Sequence, residues 1–311
     1  MQAGIIGCGR AGRARLKALA NLGISVRSIA SSRVTDVDKP LRQYVGDQSS
    51  GCRWTTDWRE LIADPSVDFV FICSESDRHD QQARAALQAG KHVCVEFPLT
   101  TTADQAESLW RLADRNELVL HVETIGGLTA HHRWTREVVC TGDLSIWSSH
   151  MTGGLYRWVQ LMAQRGLTPL LAFGRLYQAV DLFGTLKLNT AHLSSRLEGM
   201  QGAEVDPYYH LDLRLESASG ISVLIKEERK LKGSRISTTQ LYNHQGDQLL
   251  FEPLDQSLPT RPLFELDSMH FLSMIGGSES SRVANYSTPE KIIEAHQLCD
   301  QITRHLASGQ S

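Results

Sequence analysis

An apolar run, Ala3-Gly4-Ile5-Ile6, ends at Gly7-Cys8-Gly9-Arg10-Ala11-Gly12 and gives way to residues 10–22, where Leu16, Leu19 and Ala20 fall on one helical face. A GxGxxG between a strand and a helix is a turn whose glycines let the backbone fold tightly and let a pyrophosphate approach. The helix N-terminus behind it offers unpaired N–H groups to the anion. Alone, the six-residue pattern describes any glycine-rich turn. With the strand before it, the helix after it and a second such unit behind, it predicts a dinucleotide site at Gly7, Gly9, Arg10, Ala11 and Gly12.

The same grammar continues to about residue 122. Strand-type runs at 3–7, 25–31, 68–73, 92–96 and 118–122 alternate with helical segments, two of which end at Gly23 and Gly90. Thr102 with Gln105 three residues on reads as a capping box for a third helix that buries Leu109, Trp110, Leu112 and Ala113. Such alternation folds as a doubly wound parallel sheet of the Rossmann kind. After residue 123 the pattern changes to strands at 145–151, 188–196, 208–216, 221–227, 236–243 and 248–252 with few helices between them, which predicts a large, mainly antiparallel sheet. Helical pattern returns at 169–183, at 266–275 and in a last helix of about 289–307 that starts on Pro289. The expected fold class is α/β, with a dinucleotide-binding domain at 1–122 and an α+β substrate domain at 123–311.

Composition excludes several classes. The 311 residues are 41% hydrophobic and 22% charged with a net charge of -3, which suits two globular cores and gives no surface for nucleic acid. Six cysteines (Cys8, Cys52, Cys73, Cys94, Cys140 and Cys299) show no CxxC pair and no Cys/His spacing for a metal, so reduced thiols and no metal site are expected. No apolar run approaches the ~20 residues of a membrane span. The chain enters its first strand at once, with no room for a signal peptide, and the expectation is a cytoplasmic protein, monomer or homodimer, acting on a small molecule.

An NAD-preferring site ends its second strand in a carboxylate that accepts from the ribose 2′-hydroxyl. Here that strand runs into Ser31-Ser32-Arg33. Two hydroxyls and a guanidinium suit a 2′-phosphate, so NADPH is the expected cofactor and NADH the alternative.

Ala89-Gly90-Lys91-His92-Val93-Cys94-Val95-Glu96-Phe97-Pro98, together with the domain order, resembles the AGKHVxxEKP segment of the Gfo/Idh/MocA oxidoreductases. In the family's sugar and inositol dehydrogenases that lysine assists proton transfer at a carbinol, and a downstream Asp and His complete the site. This chain has Phe97 for the lysine, and Leu170 and Gly174 where the Asp and His would fall. General-base chemistry on an alcohol therefore has no agent.

The departure resembles the biliverdin reductase branch, in which EKP becomes EYP. Glu96-Phe97-Pro98-Leu99 differs from that signature in lacking the hydroxyl. Gly9-Arg10-Ala11-Gly12, Cys73-Ser74-Glu75-Ser76 with His79, Leu120-His121-Val122-Glu123, and Gly174-Arg175-Leu176 before Leu182-Phe183-Gly184 are similar to segments of the same branch. The resemblance implies that Cys73, Ser74, Glu75, Ser76, His79, Glu96, Phe97 and Pro98 line the cofactor. It implies hydride transfer to the C10 methine bridge of biliverdin, with Arg175 as the cation beside the tetrapyrrole. Glu123 would orient the nicotinamide amide or a pyrrole N–H. Two other readings stay open: reduction of another conjugated C=N or C=C, and an inert cofactor-binding sensor or scaffold. His121, His131 and His132 read as structural, and 226–232 as a solvated mixed-charge run that could alternatively meet propionates.

Overall fold

The computed structural model describes residues 1–32, 51–155, 157–196, 208–231, 233–251, 261–277 and 286–309. The chain forms two compact units, one of Met1–Ile125 with Leu258–Pro289, the other of Gly126–Ser257 with Glu290–Ser311. The first crossing lies close to the cut expected from sequence. The later stretch was expected in the second domain and instead belongs to the first. Its helix inserts Phe271 into the first unit's core, and order along the chain carries no sign of such a return.

The first unit holds six parallel strands in the order β3-β2-β1-β4-β5-β6. They are β1 (Ala3–Ile6), β2 (Val26–Ala30), β3 (Arg53–Thr55), β4 (Phe69–Ile72), β5 (His92–Glu96) and β6 (Leu120–Glu123). Every residue of β1 and β4 is buried, as helices on both faces of a parallel sheet require. The order reverses between β1 and β4, and at such a switch point the carboxyl ends of the strands leave a crevice for ligand.

The helices here are α1 (Arg10–Asn21), α2 (Trp58–Ala63), α3 (His79–Gln88) and α4 (Ala103–Arg115). β3 and α2 went unread in the sequence because three and six residues are too few for a period to show. The capping box at α4 is offset by one residue. Thr102 accepts the Gln105 N–H at 3.4 Å, whereas the Gln105 side chain returns to the N–H of Thr101 at 3.3 Å.

The second unit is built on a mixed six-stranded sheet in the order β12-β11-β7-β10-β9-β8. These are β7 (Leu144–Gly154), β8 (Leu186–Arg196), β9 (Tyr208–Ser217), β10 (Ser222–Lys230), β11 (Ile236–Asn243) and β12 (Gln248–Leu249). All pairings are antiparallel except β7 with β10. Strict alternation in β9 and β10 buries one face, Tyr209, Leu211, Leu213 and Leu215 from one strand and Val223, Ile225, Glu227 and Arg229 from the other.

Helices α5 (Ala130–Thr141), α6 (Arg157–Gln164), α7 (Phe173–Phe183) and α9 (Pro289–Ala307) belong to this unit, and α8 (Leu263–Ile275) to the first. The first two were not expected, since His131, His132 and Arg133 blur the apolar stripe of α5. Thr129 caps that helix by accepting the His132 N–H at 3.1 Å. No helix among the described residues is long and apolar enough to cross a membrane.

Candidate active site

Because all six strands of the first sheet run the same way, the residues that leave them share one edge: Gly7 after β1, Ser31 after β2, Cys73 after β4, Phe97 after β5 and Thr124 after β6. Backbone bonds fix the loops there, with Gly7 N–H donating to Ala30, Cys73 N–H to Ile6 and Ser31 N–H to Thr55.

The glycines of the first loop differ in what they allow. Gly7 has φ +91°, and a Cβ on it would lie 2.6 Å from the Cys73 backbone; a Cβ on Gly12 would lie 2.0 Å from the Gly7 carbonyl oxygen. Both are therefore steric necessities of the turn. Gly9 caps α1 and faces open space where a Cβ would project. Among the described residues no side chain caps this helix and no acidic residue stands in its first turn, so the positive end of its dipole favours an anion. The cradle at Gly9, Arg10 and Ala11 thus fits the pyrophosphate of a dinucleotide.

Ser31 is partly buried and Ser32 exposed, at the edge where the adenine ribose of such a ligand lies. Arg33, expected on the 2′-phosphate, lies outside the described residues. The Ser74 hydroxyl donates to Gln82 at 2.5 Å, Glu75 precedes the single 3₁₀ turn Ser76–Arg78, and Ser76 is buried. His79 is buried too. Its Nδ1 lies 2.8 Å from the Pro98 carbonyl oxygen and its Nε2 3.2 Å from that of Ser74, while burial pushes its pKa down. It holds two loops of the edge together. Phe97 is half-buried and joined to Pro98 by a cis peptide.

Behind this edge lies a buried charged cluster that sequence reasoning missed. Arg15, fully buried on α1, donates from Nε to Glu96 at 3.3 Å, ion-pairs with Asp267 of α8, and donates to the Ser268 hydroxyl at 3.1 Å. Its guanidinium also lies 5.0 Å from the Phe71 ring centre and 4.9 Å from that of Phe264. Asp267 further receives Tyr286 Oη at 2.9 Å and faces His121 Nε2 at 2.7 Å. Burial alone would raise its pKa, but Arg15 and His121 hold it far below the usual carboxylate range.

The signal was present in the sequence: Arg15 falls on the same helical face as Gly12, Leu16 and Leu19, and a charge there must find a buried partner. Cys94, His121 and Asp267 could reach one common ion. Asp267 is already shared by three donors, and the guanidinium in contact with it opposes a second cation.

Glu123 is 1% exposed, accepts the Ile125 N–H at 2.8 Å and is the register partner of Glu96 on the neighbouring strand. Burial, then the charge of Glu96, raises its pKa well above the usual range. Burial also raises that of Glu96, against the opposing pull of Arg15.

Arg175 belongs to the second unit, on α7. Its Nη2 donates to Ser237 of β11 at 3.1 Å, and burial lowers its pKa while Glu227 opposes that fall. Glu227, buried and raised in pKa by burial, is ion-paired with Arg229. The alternation of β10 divides the mixed-charge run, turning Glu227 and Arg229 inward and leaving Lys226 and Lys230 exposed.

Residues 1–124 match the Gfo/Idh/MocA oxidoreductase family, NAD-binding Rossmann fold. The chain is 30% identical to human biliverdin reductase A over 214 residues, which span 68% of this chain and 66% of that protein. It is 29% identical over 168 residues to a scyllo-inositol 2-dehydrogenase (NADP(+)) of Bacillus subtilis, covering 50% of this chain and 44% of the relative. A crystal structure of biliverdin reductase with biliverdin and NADP+ from Synechocystis superposes with a TM-score of 0.75 over 97% of this chain and 98% of that one, at 22% identity. The glycine loop, the helix N-terminus and these matches agree: residues 1–124 are an NAD-binding Rossmann domain of the Gfo/Idh/MocA oxidoreductase family.

Proposed function

We propose that the protein is an NADPH-dependent reductase of biliverdin, or of a closely similar bilin, forming bilirubin by reduction at the C10 methine bridge. The observation that carries this reading is Phe97, a half-buried apolar ring that follows β5 where the alcohol-oxidising members of the family keep a lysine. A conjugated tetrapyrrole needs no carbinol base. It needs a flat apolar surface and a cation to stabilise charge as its nitrogen gains a proton.

The bound dinucleotide supplies hydride. Gly7, Gly9, Arg10, Ala11 and Gly12 hold its pyrophosphate, and Ser31, Ser32 and Arg33 receive the 2′-phosphate. Cys73, Ser74, Glu75, Ser76, Glu96 and Pro98 form the wall along its length. Phe97 provides the apolar surface, and Arg175 is the cation assigned to the tetrapyrrole. Because a guanidinium rarely gives up its proton, Arg175 acts by its charge.

Mixing the protein with NADPH and biliverdin and following absorbance tests the proposal. Loss of the red band with growth of a blue one is expected. An unchanged spectrum with bound cofactor would make the protein an inert binder, and oxidation of a sugar or cyclitol at a useful rate would return it to the dehydrogenases.

A further inference from the structure

Three carboxyl groups, the buried Glu123 and Asp267 and the mostly buried Glu96, form one cluster of the first unit, with the guanidinium of Arg15 in direct contact with Glu96 and Asp267. Full ionisation would leave two uncompensated negative charges out of water, an arrangement that buried groups avoid by keeping a proton. Asp267 is not the group that keeps it, since Arg15, His121 and Tyr286 all favour its charged form. The proton therefore falls to Glu96 and Glu123. These two are register partners on adjacent parallel strands, so their side chains leave the sheet on the same side at its carboxyl edge. The charge of each bears on the other, and Glu96, with a side chain 14% exposed, is the outer member.

We propose that Glu96 and Glu123 form a single-proton store whose occupancy follows the charge of the nicotinamide ring, full beside a neutral reduced ring and emptied beside a cationic oxidised one. The store rests on the dinucleotide reading of the site. Two electrons and a hydrogen leave as hydride for the substrate carbon in the proposed reduction, and one proton joins the substrate nitrogen. The O–H bond of the pair breaks as the ring becomes a cation, its proton passes through water to the substrate nitrogen, and one proton from solvent refills the pair when the oxidised cofactor departs. Atoms and charge balance over the turnover.

The groups facing the pair are Arg15 of α1, Cys73 after β4, Cys94 of β5, Asp267 of α8 and Tyr286, while His121 and His270 stand behind Asp267. Burial raises both thiols and the tyrosine, and lowers His270 to about 4, so these stay neutral near pH 7. Two glutamates sharing a proton are left as the pair that a nearby positive charge can empty.

Calorimetric titration of the full chain with NADP+ and, separately, NADPH, in buffers of different ionisation enthalpy at neutral pH, counts the protons. NADP+ should release up to about one proton more than NADPH, since the 2′-phosphate contributes equally to both. In Glu123→Gln, and independently in Glu96→Gln, the difference should collapse while the same titrations report cofactor affinity. Equal counts for the two cofactors in the wild type would overturn the store. A difference that survives in both variants would also overturn it. Failure of both cofactors to bind would remove the dinucleotide reading and the store with it. Proton release with no reduction of biliverdin would leave the store standing and overturn the substrate alone.

Discussion

The guanidinium of Arg15, on the first helix, is buried against the carboxylate of Asp267, on a helix that returns from beyond the second sheet. Neither side chain has measurable exposure, so each is the other's main compensation for lost water. Arg15→Ala should lower the unfolding free energy by about 3–5 kcal/mol, the scale of breaking a buried pair from one side. Adding Asp267→Asn should recover part of that loss. Urea unfolding of the wild type, both single variants and the double variant would check this, and strictly additive losses would show that the two side chains are not coupled.

The loop glycines separate folding from binding. A Cβ on Gly9 meets nothing within 4 Å, whereas one on Gly12 would lie 2.0 Å from the Gly7 carbonyl oxygen. Gly9→Ala should keep stability within about 0.5 kcal/mol of wild type and weaken NADPH binding by about tenfold or more. Gly12→Ala should damage both. Thermal melts beside fluorescence titration with NADPH distinguish them, and unchanged affinity in Gly9→Ala would argue against the pyrophosphate at that loop.

His296 makes a pH-dependent contribution in the second unit. Its ring lies 4.6 Å from that of Phe173, neither ring nitrogen has a hydrogen-bond partner among the described residues, and burial pushes its pKa down to about 3. The unfolded chain takes up a proton near the ordinary value of about 6.5, which the folded protein refuses. Between those values the unfolded state binds more protons. Stability therefore falls as pH drops from about 6.5 toward 3, by up to roughly 4–5 kcal/mol. His296→Leu should remove this share of the acid loss. Parallel pH–stability curves for variant and wild type would contradict the assignment.

How much of this was legible in the sequence follows from the range of each interaction. The glycine loop, the parallel strands and the alternation of β9 and β10 are local patterns, and they were read from neighbours in the chain. Phe97 was legible for the same reason, as an apolar residue inside a recognisable segment. Arg15 stood in plain view on an apolar helix face, but its partner Asp267 sits among Leu263, Phe264, Leu266 and Phe271 far along the chain. No periodicity links two such positions. Likewise, Glu123 stood out as a candidate through its segment, but its pairing with Glu96 is a matter of strand register and could not be read.

Arg175 tests the proposed chemistry. Its Nη2 donates to Ser237, and the charge of Glu227 favours its charged form. Arg175→Ala should slow hydride transfer by about 10²-fold, the scale of one preorganised electrostatic contact at developing charge, and Arg175→Lys should restore part of the rate. Single-turnover reduction of biliverdin with NADPH prebound is the measurement. A wild-type rate in Arg175→Ala would make the arginine a structural member of the Glu227–Arg229 cluster.

The return of Leu258–Pro289 to the first unit sets an order of events during synthesis. The six parallel strands leave the ribosome early, yet Phe271 and Asp267 arrive only after the second sheet has been made. Until then the nascent sheet carries an open apolar patch beside Phe69 and Phe71, and Arg15 waits without its aspartate. The half of the protein that is translated first is thereby completed late, at the expense of a long loop closure. A fragment ending at residue 125 would hold every glycine of the nucleotide loop and still be an unfinished domain, exposed to chaperones and to self-association.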